Sequence, residues 1–257
     1  MLELRNITKI YSPGTVQENV LFNDFSFTVS DGSFVSLVGS NGSGKTSLLN
    51  ILCGSIPVES GSIFMDGRDI TRMREFRRYH RMGRVYQNPA MGTCPSMTIL
   101  ENLAMADNKG KRYGLGRGVD KRRVDAYRDM LAPLGLGLED KLGVPVGALS
   151  GGQRQTLALL MATMNPIDFL ILDEHTAALD PKTAETVMEL TARVVSEKHL
   201  TTLMVTHNLR HAVEYGDRLV MMHQGHIVFD RSGEEKRATR VDDVLALFNE
   251  ISVECGN

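Results

Sequence analysis

The chain has 257 residues, of which 42% are hydrophobic and 23% charged, and its 29 Lys and Arg against 31 Asp and Glu give a formal net charge of -2. This length can bury a sizeable core, and the near-neutral balance argues against a protein committed overall to nucleic acid or anionic lipid. Its three cysteines form no CxxC pair, so neither a disulfide framework nor a zinc site is indicated.

The amino-terminal part of the chain alternates apolar, strand-like runs with turn residues. LELRNITKIY, FNDFSFTVSDGSFVSLVG and SGSIFMDGRDI are such runs, with turns at Gly32, Gly61 and Gly67. After SFVSLVG a Gly-rich loop leads into a short helical pattern, TSLLNILCG, which Gly54 closes. The order predicts a strand, a phosphate loop and a helix.

The pattern becomes helical from Thr98 to about Leu142, where apolar residues recur at spacings of three and four. Strand and helix then alternate again, which favours a largely parallel sheet. We expect one α/β domain: a mostly parallel sheet core with an antiparallel β edge, formed by residues 1–97 and 143–257, and an inserted helical subdomain at about 98–142.

The last third of the chain contains clear element boundaries. Asp180 and Pro181 are typical of an N-cap and first turn, and the helix continues through TAETVMELTARVVSEK. TTLMVTH is a buried strand, DRLVMMHQGHIVFD predicts a hairpin that turns near Gln224 and Gly225, and DDVLALFNEI predicts a final amphipathic helix.

GSNGSGKT, which begins at Gly39 and ends at Thr46, matches the phosphate-loop pattern GxxxxGK[ST] between a strand and a helix. Backbone N–H groups of such a loop surround phosphates, Lys45 neutralises their charge, and Thr46 can ligate Mg²⁺. The alternative is a Gly-rich turn with a surface lysine. The predicted nucleotide-binding residues here are Gly39, Ser40, Asn41, Gly42, Ser43, Gly44, Lys45, Thr46 and Ser47.

An acidic pair ends the apolar run of IDFLILDEH. Asp173 would lie at the carboxyl end of a buried strand and reach Mg²⁺ through water, while Glu174 can polarise a water in line with the γ-phosphate. On its own such a pair is also typical of a helix cap. Its co-occurrence with the phosphate loop favours the catalytic interpretation.

The phosphate loop and the acidic pair alone fit many NTPases, and LSGGQ, Leu149 to Gln153, narrows the choice among them. With this segment upstream of the LDE strand, the sequence resembles the ATP-binding cassette (ABC) family over nearly the whole chain. A kinase or GTPase is disfavoured because LSGGQ has no role there and no NKxD guanine-binding segment is present. The resemblance also includes the aromatic in KIY, the glutamine in VYQNP, the end of ALD and the histidine in VTH, which are Tyr11, Gln87, Asp180 and His207.

The resemblance implies a P-loop NTPase fold of the ABC-ATPase type, in which two cassettes pack head to tail. The helix start at Ser150, Gly151 and Gly152 of one subunit, with Gln153, would then cap the γ-phosphate at the phosphate loop of the other. A serine N-cap and glycines that permit close backbone approach suit such an anion site.

The same resemblance assigns roles to single residues. Tyr11 would stack on adenine, Gln87 would contact Mg²⁺, Asp180 would cross the dimer interface, and His207 would hold the γ-phosphate. Three of these have simpler interpretations: Tyr11 as an edge-strand aromatic, Gln87 as a surface amide, and His207 as an ordinary member of the chain's seven histidines. The expected ligands are ATP and Mg²⁺, the catalytic set is Glu174, His207, Lys45 and Gln87, and the metal set is Thr46, Gln87 and Asp173.

The sequence departs from the family pattern at His175, where proline is usual, and in the signature helix, which contains QTLALLMATM instead of an arginine-bearing run. Neither departure removes a catalytic group. His175 near the γ-phosphate could add a titrating charge, but a loop variant is the preferred interpretation. Two basic stretches, at 72–84 and 109–123, could contact headgroups or nucleic acid, but solvated faces are the simpler interpretation.

The resemblance implies the ATP-hydrolysing motor subunit of a bacterial ABC transporter, with ATP-driven dimerisation coupled to solute transport. The expected partners are a second copy of the chain and separate transmembrane permease subunits at the cytoplasmic face of the membrane, without nucleic acid. Likeness to importers of amino-acid-like solutes adds a solute-binding protein as a candidate partner. An exporter ATPase and a soluble ABC ATPase of DNA repair, chromosome organisation or translation are the alternatives.

Overall fold

A computed structural model describes residues 1–111, 114 and 118–254 of the chain. No helix among these residues has both the length and the apolar character that a membrane crossing requires. The strands are β1 (Leu2–Tyr11), β2 (Asn19–Val29), β3 (Phe34–Gly39), β4 (Ser60–Met65), β5 (Arg68–Asp69), β6 (Met82–Val85), β7 (Phe169–Asp173), β8 (Thr201–Val205), β9 (Arg218–His223) and β10 (His226–Ser232). The α-helices are α1 (Lys45–Cys53), α2 (Glu75–Arg78), α3 (Ile99–Asp107), α4 (Val124–Leu131), α5 (Gly151–Thr163), α6 (Pro181–Glu197), α7 (Leu209–Glu214), α8 (Gly233–Ala238) and α9 (Val241–Glu254).

The larger sheet is parallel except at one edge. Its strand order is β10-β9-β3-β8-β7-β6, and only β10 runs antiparallel to its neighbour. All residues of β3 and β8 are buried, as expected for apolar strands covered by helices on both faces. The predicted α/β fold with a mostly parallel core is confirmed.

The antiparallel part at the amino terminus forms a second sheet, with strand order β2-β1-β4-β5. One apolar cluster joins the two sheets through α1. Leu4 and Phe22 come from the second sheet, Leu48 and Leu52 from α1, and Leu37 from the parallel sheet. The helix that follows the predicted phosphate loop is therefore packed between both sheets.

The segment predicted as a helical insert contains α3 and α4, and its apolar side chains form a cluster of their own. Ile99 and Tyr127 are buried there. The cluster continues past Leu142 to Leu157 and Met161 on α5. The division of the chain into a core and an insert at 98–142 stays a prediction. Arg112 and Arg117 of the second basic stretch lie outside the described residues.

The hairpin between β9 and β10 contacts both the second sheet and the predicted phosphate loop. Gly225 at its turn has a φ of +77°, and a Cβ there would lie 1.8 Å from the carbonyl oxygen of Leu21. Its N–H donates to the carbonyl of Ser43 at 3.0 Å. Gly67, in another turn, has a φ of +75° but nothing within 4 Å of the same Cβ position.

We expect Gly225→Ala to destabilise the protein more than Gly67→Ala does. Both changes place a side chain in the left-handed region, at a cost of about 1–2 kcal/mol. Only the Gly225 change adds a clash with backbone, which costs about 1–3 kcal/mol more. Urea unfolding of the two variants measures the difference, and equal losses of stability would show that the hairpin does not press on β2.

Candidate active site

The predicted phosphate loop connects the buried strand β3 to α1, and its lysine is held by the loop itself. The ammonium of Lys45 donates to the carbonyls of Gly39 at 2.7 Å and Ser40 at 2.9 Å. Burial lowers the pKa of Lys45, while the carboxylate of Glu174 acts in the opposite direction. The loop therefore fixes a buried cation beside an acidic side chain.

A pocket of about 290 Å³ lies over this loop and brings together residues that are far apart in sequence. Tyr11, Glu174 and His207 line it together with the loop. The loop residues that line it are Asn41, Gly42, Ser43, Gly44, Lys45, Thr46 and Ser47. The pocket combines backbone N–H groups, a cation, a carboxylate, an imidazole and an aromatic ring, which is a set suited to a phosphorylated ligand with an aromatic base.

Tyr11 forms one wall of the pocket at the end of β1. Its hydroxyl donates to Oγ of Ser47 on α1 at 2.9 Å, which links the second sheet to the phosphate-loop helix. The Nζ atom of Lys9 lies 5.3 Å from the ring centroid, and the same ammonium pairs with Glu59 at 2.8 Å. These contacts hold the Tyr11 side chain in place at the pocket.

Glu174 and His207 form the opposite side of the pocket. His207 Nε2 lies 2.7 Å from Glu174 Oε1, and the two side chains are 45% and 17% exposed. Glu174 has a φ of +47°, and its N–H donates to the carbonyl of Val205 at 2.9 Å. This strained backbone turns the carboxylate out of β7, and a functional role is a common reason for such strain.

Asp173 does not line the pocket but pairs with Arg84, which the sequence analysis wrongly placed on a solvated basic face. Its Oδ2 accepts from Nη2 of Arg84 on β6 at 2.6 Å, and the two side chains are only 16% and 6% exposed. A signal was present in the sequence, because MGRV places an arginine inside a strand that is otherwise apolar or glycine. A buried charge of this kind needs a partner.

The LSGGQ segment begins α5 and lies outside the pocket lining. Ser150 is the N-cap of the helix: its Oγ accepts from the N–H of Gln153 at 3.3 Å, and the Ser150 N–H donates back to the Gln153 side chain at 3.2 Å. Gln153 Nε2 also donates to the carbonyl of Leu136. Within one chain, therefore, the structure does not bring Ser150, Gly151, Gly152 and Gln153 to the phosphate-loop pocket.

Gln87 and Asp180 also lie outside the pocket lining, and both are exposed. The backbone before Gln87 is tied to α5, since Gln155 Nε2 donates to the carbonyl of Tyr86 at 2.9 Å. Asp180 caps α6 by accepting from the N–H of Thr183 at 3.1 Å. The predicted N-cap is confirmed, whereas functions for Gln87 and Asp180 stay predictions.

Comparison with known proteins identifies the family whose motifs form and surround this pocket. The family model described as ABC transporter matches residues 22–177, which include the phosphate loop, LSGGQ and the Asp173-Glu174 pair. The chain belongs to the ABC transporter family. It is an ATPase subunit of that family, and the expectation drawn from LSGGQ is confirmed.

Individual ABC proteins resemble the chain over nearly its whole length. The tyrosine transport ATP-binding protein of Clostridioides difficile (strain R20291) is 46% identical over 248 residues, covering 96% of this chain and 98% of the relative. The phosphonates import ATP-binding protein of Lactococcus lactis subsp. cremoris (strain SK11) is 29% identical over 255 residues, covering 95% and 98%. A dimeric ATP-binding cassette solved in a post-hydrolysis state with ADP and phosphate has a TM-score of 0.75 at 27% identity, covering 90% of this chain and 98% of that one.

A larger groove of about 610 Å³ runs between the parallel sheet and the helices of the ABC chain. Phe76 on α2, Arg84 on β6, Met105 on α3 and Met161 on α5 line it, together with Tyr79, His80, Lys109 and Lys111. The side chains of Phe76 and Met105 are 59% and 45% exposed. A groove of this size, in which exposed apolar side chains lie beside basic ones, suits a peptide segment of another chain.

His175 follows Glu174 at the position where ABC proteins usually have proline, and it is buried. Its Nε2 lies 3.2 Å from Oγ1 of Thr191 on α6. Burial, with a smaller contribution from His211, lowers the pKa of His175 to about 3. The imidazole is therefore neutral at physiological pH and anchors the turn that carries Glu174 to α6.

We expect the free energy of unfolding to fall as the pH drops below about 6.5, because His175 takes up a proton in the unfolded chain but stays neutral in the folded one. The slope from this residue reaches at most about 1.4 kcal/mol per pH unit. His175→Gln should flatten the dependence, measured by urea unfolding between pH 7.5 and pH 5. The exposed His226→Gln is the control, and an equal effect of both variants would contradict the assignment.

Proposed function

We propose that the pocket over the phosphate loop binds ATP and that Glu174 activates the water that hydrolyses it. The observation that carries this proposal is the meeting of Lys45 and Glu174 in one pocket, a phosphate-binding cation beside a carboxylate. Lys45 and the loop N–H groups would bind the β- and γ-phosphates. Tyr11 would stack on adenine.

In this proposal Glu174 orients the attacking water and accepts its proton. His207 Nε2 lies 2.7 Å from the same carboxylate and holds Glu174 in place. When ATP binds, its single N–H would turn from Glu174 to the γ-phosphate. The positive φ of Glu174 directs its side chain toward the pocket, away from the neighbouring Asp173. The two carboxylates therefore have separate tasks.

The residues near the loop fit Mg²⁺, a hard cation that prefers oxygen ligands and shares them with phosphates. Thr46 lines the pocket, and Asp173 presents a carboxylate at the end of β7. We assign Thr46, Asp173 and Gln87 to hold the ion. It would supply positive charge that offsets the negative charge of the phosphates.

A second copy of the chain would complete the site. Ser150, Gly151 and Gly152 start an α-helix with a capping box, and Gln153 belongs to that box. A helix start of this kind attracts anions. Because it lies outside the pocket of its own chain, we propose that it meets the γ-phosphate at the phosphate loop of a partner, with Asp180 at the interface.

We expect Glu174→Gln to bind ATP, to lose about 10²–10⁴-fold in turnover, and to accumulate as an ATP-bound dimer, because only water activation is removed. Light scattering at saturating ATP measures the dimer. The double variant Glu174→Gln with Lys45→Ala is the control, which should stay monomeric because phosphate binding is lost. A Glu174→Gln protein that stays monomeric with bound ATP would contradict the proposed dimer.

We further propose that the ABC dimer powers import of an amino-acid-like solute. The name of the relative at 46% identity, a tyrosine transport protein, supports this class of solute. The groove lined by Phe76 and Met105 would receive a segment of a transmembrane permease, which holds the chain at the cytoplasmic face of the membrane. Residues of about 98–142 would be the helical insert that carries one wall of the groove, and a solute-binding protein would deliver the solute.

We expect Met105→Glu to abolish uptake of labelled tyrosine by cells that depend on this chain, because a carboxylate in place of Met105 removes apolar surface that the docked segment would cover and would itself have to be desolvated. ATP binding by the purified variant should be unchanged, since Met105 does not line the pocket. Leu245→Glu is the matched control, because Leu245 is 46% exposed and Met105 45% exposed.

Affinity capture from detergent-solubilised membranes of the same cells tests the permease partner separately from the transported solute. The wild-type chain and Leu245→Glu should co-purify a membrane protein with several spans, and Met105→Glu should not. Capture of ribosomal or DNA-bound proteins instead would contradict transport. Capture of the membrane protein without uptake of tyrosine would leave the permease partner in place and contradict the solute.

A further inference from the structure

Arg84 is a buried cation that contacts three separate parts of the ATPase. Its Nη2 donates to Oδ2 of Asp173 on β7 at 2.6 Å, and its Nη1 donates to Oδ1 of Asn50 on α1 at 2.9 Å. Its Cζ lies 4.6 Å from the ring centroid of Tyr86, the residue before Gln87. One side chain thus joins the proposed metal carboxylate, the phosphate-loop helix and the Gln87 segment.

The charge of Arg84 is permanent. Burial is the largest single influence and lowers the pKa of the guanidinium, but the hydrogen bond and charge of Asp173, together with Cys53 and Tyr79, raise this pKa above its usual range. The side chain is 6% exposed, so solvent screens its pairing with Asp173 little. The buried Nε has no hydrogen-bond partner among the described residues, so Asp173 is the main compensation for the charge.

The pairing of Arg84 with Asp173 changes the charge and the free oxygen atoms that a metal ion would encounter at the end of β7. The bond from Nη2 fixes the orientation of the Asp173 carboxylate and leaves its other oxygen for a water or a cation. The guanidinium also offsets the negative charge of Asp173. A divalent cation therefore approaches a neutral pair instead of an isolated carboxylate, and its attraction is weaker.

We propose that Arg84 is a positioning residue that orients Asp173 and reduces the affinity of the ATP site for Mg²⁺. The proposal rests on the proposed function, because it requires ATP and Mg²⁺ at the phosphate loop. Weaker retention of the ion would favour its exchange with each nucleotide. Arg84 also packs on Tyr86 and lines the groove. A displacement of the Gln87 segment would therefore be transmitted to Asp173 through the Arg84 side chain.

The test compares binding of a non-hydrolysable ATP analogue with excess Mg²⁺ and with EDTA, by calorimetry. The ratio of the two Kd values reports how much the ion contributes, and it does not depend on turnover. Arg84→Met removes the cation and retains an apolar side chain of similar length. We expect the ratio to rise at least about fivefold in this variant, since Asp173 then attracts the ion without an opposing charge.

Three further variants make the result specific. Arg84→Lys keeps the charge and should stay within about twofold of the wild-type ratio. Arg81→Met removes an exposed arginine that pairs with Asp66 at 2.7 Å and with Asp168, and it should leave the ratio unchanged. If Arg84→Met does not fold in thermal denaturation, Arg84→Gln, which retains an N–H donor for Asp173, carries the same expectation.

An unchanged or lower ratio in the neutral Arg84 variant would overturn the proposal, and so would an equal rise in Arg81→Met. A wild-type protein that binds the analogue equally with and without Mg²⁺ would instead overturn the metal assignment of the proposed function. The two failures are therefore distinguishable.

Discussion

Parallel pairing of β3, β8 and β7 is the constraint on which the site depends. The carboxyl ends of parallel strands lie at one edge of a sheet, and the register pairs Leu37 of β3 and Asp173 of β7 with the same residue, Val205 of β8. The loops that follow these strands carry Lys45, Glu174 and His207. A pocket for phosphates therefore follows from strand order, before any side chain has formed a contact.

Two buried cations, Lys45 and Arg84, stand beside the acidic pair at this edge. Lys45 is bonded to its own loop carbonyls and can exchange them for phosphate oxygens, whereas Arg84 is committed to Asp173 and Asn50. The difference lies in their partners, since a carbonyl bond is weaker than a bond to a carboxylate. One cation is available to a ligand and the other fixes the structure around it.

Most of the fold could be predicted from the sequence, because the patterns of GSNGSGKT, the buried strands and the β9–β10 hairpin each indicate one local structure. The meeting of Lys45 with Glu174 in one pocket also follows from that pattern. The Arg84–Asp173 pair could not, because the partner of a buried charge depends on side-chain directions across neighbouring strands. His175 was interpreted as a loop variant, yet its burial against Thr191 arises from the packing of α6, which no local pattern encodes.

The helix α5 contributes to two separate apolar clusters. Leu157 and Met161 pack into the cluster formed with α3 and α4, while Ala158 and Leu159 pack against the parallel sheet. Opposite faces of the same helix therefore pack into two different apolar clusters. A rotation of the α3–α4 cluster relative to the parallel sheet would have to move α5 against one of its two packing partners, and the anion-attracting helix start at Ser150 would move with it.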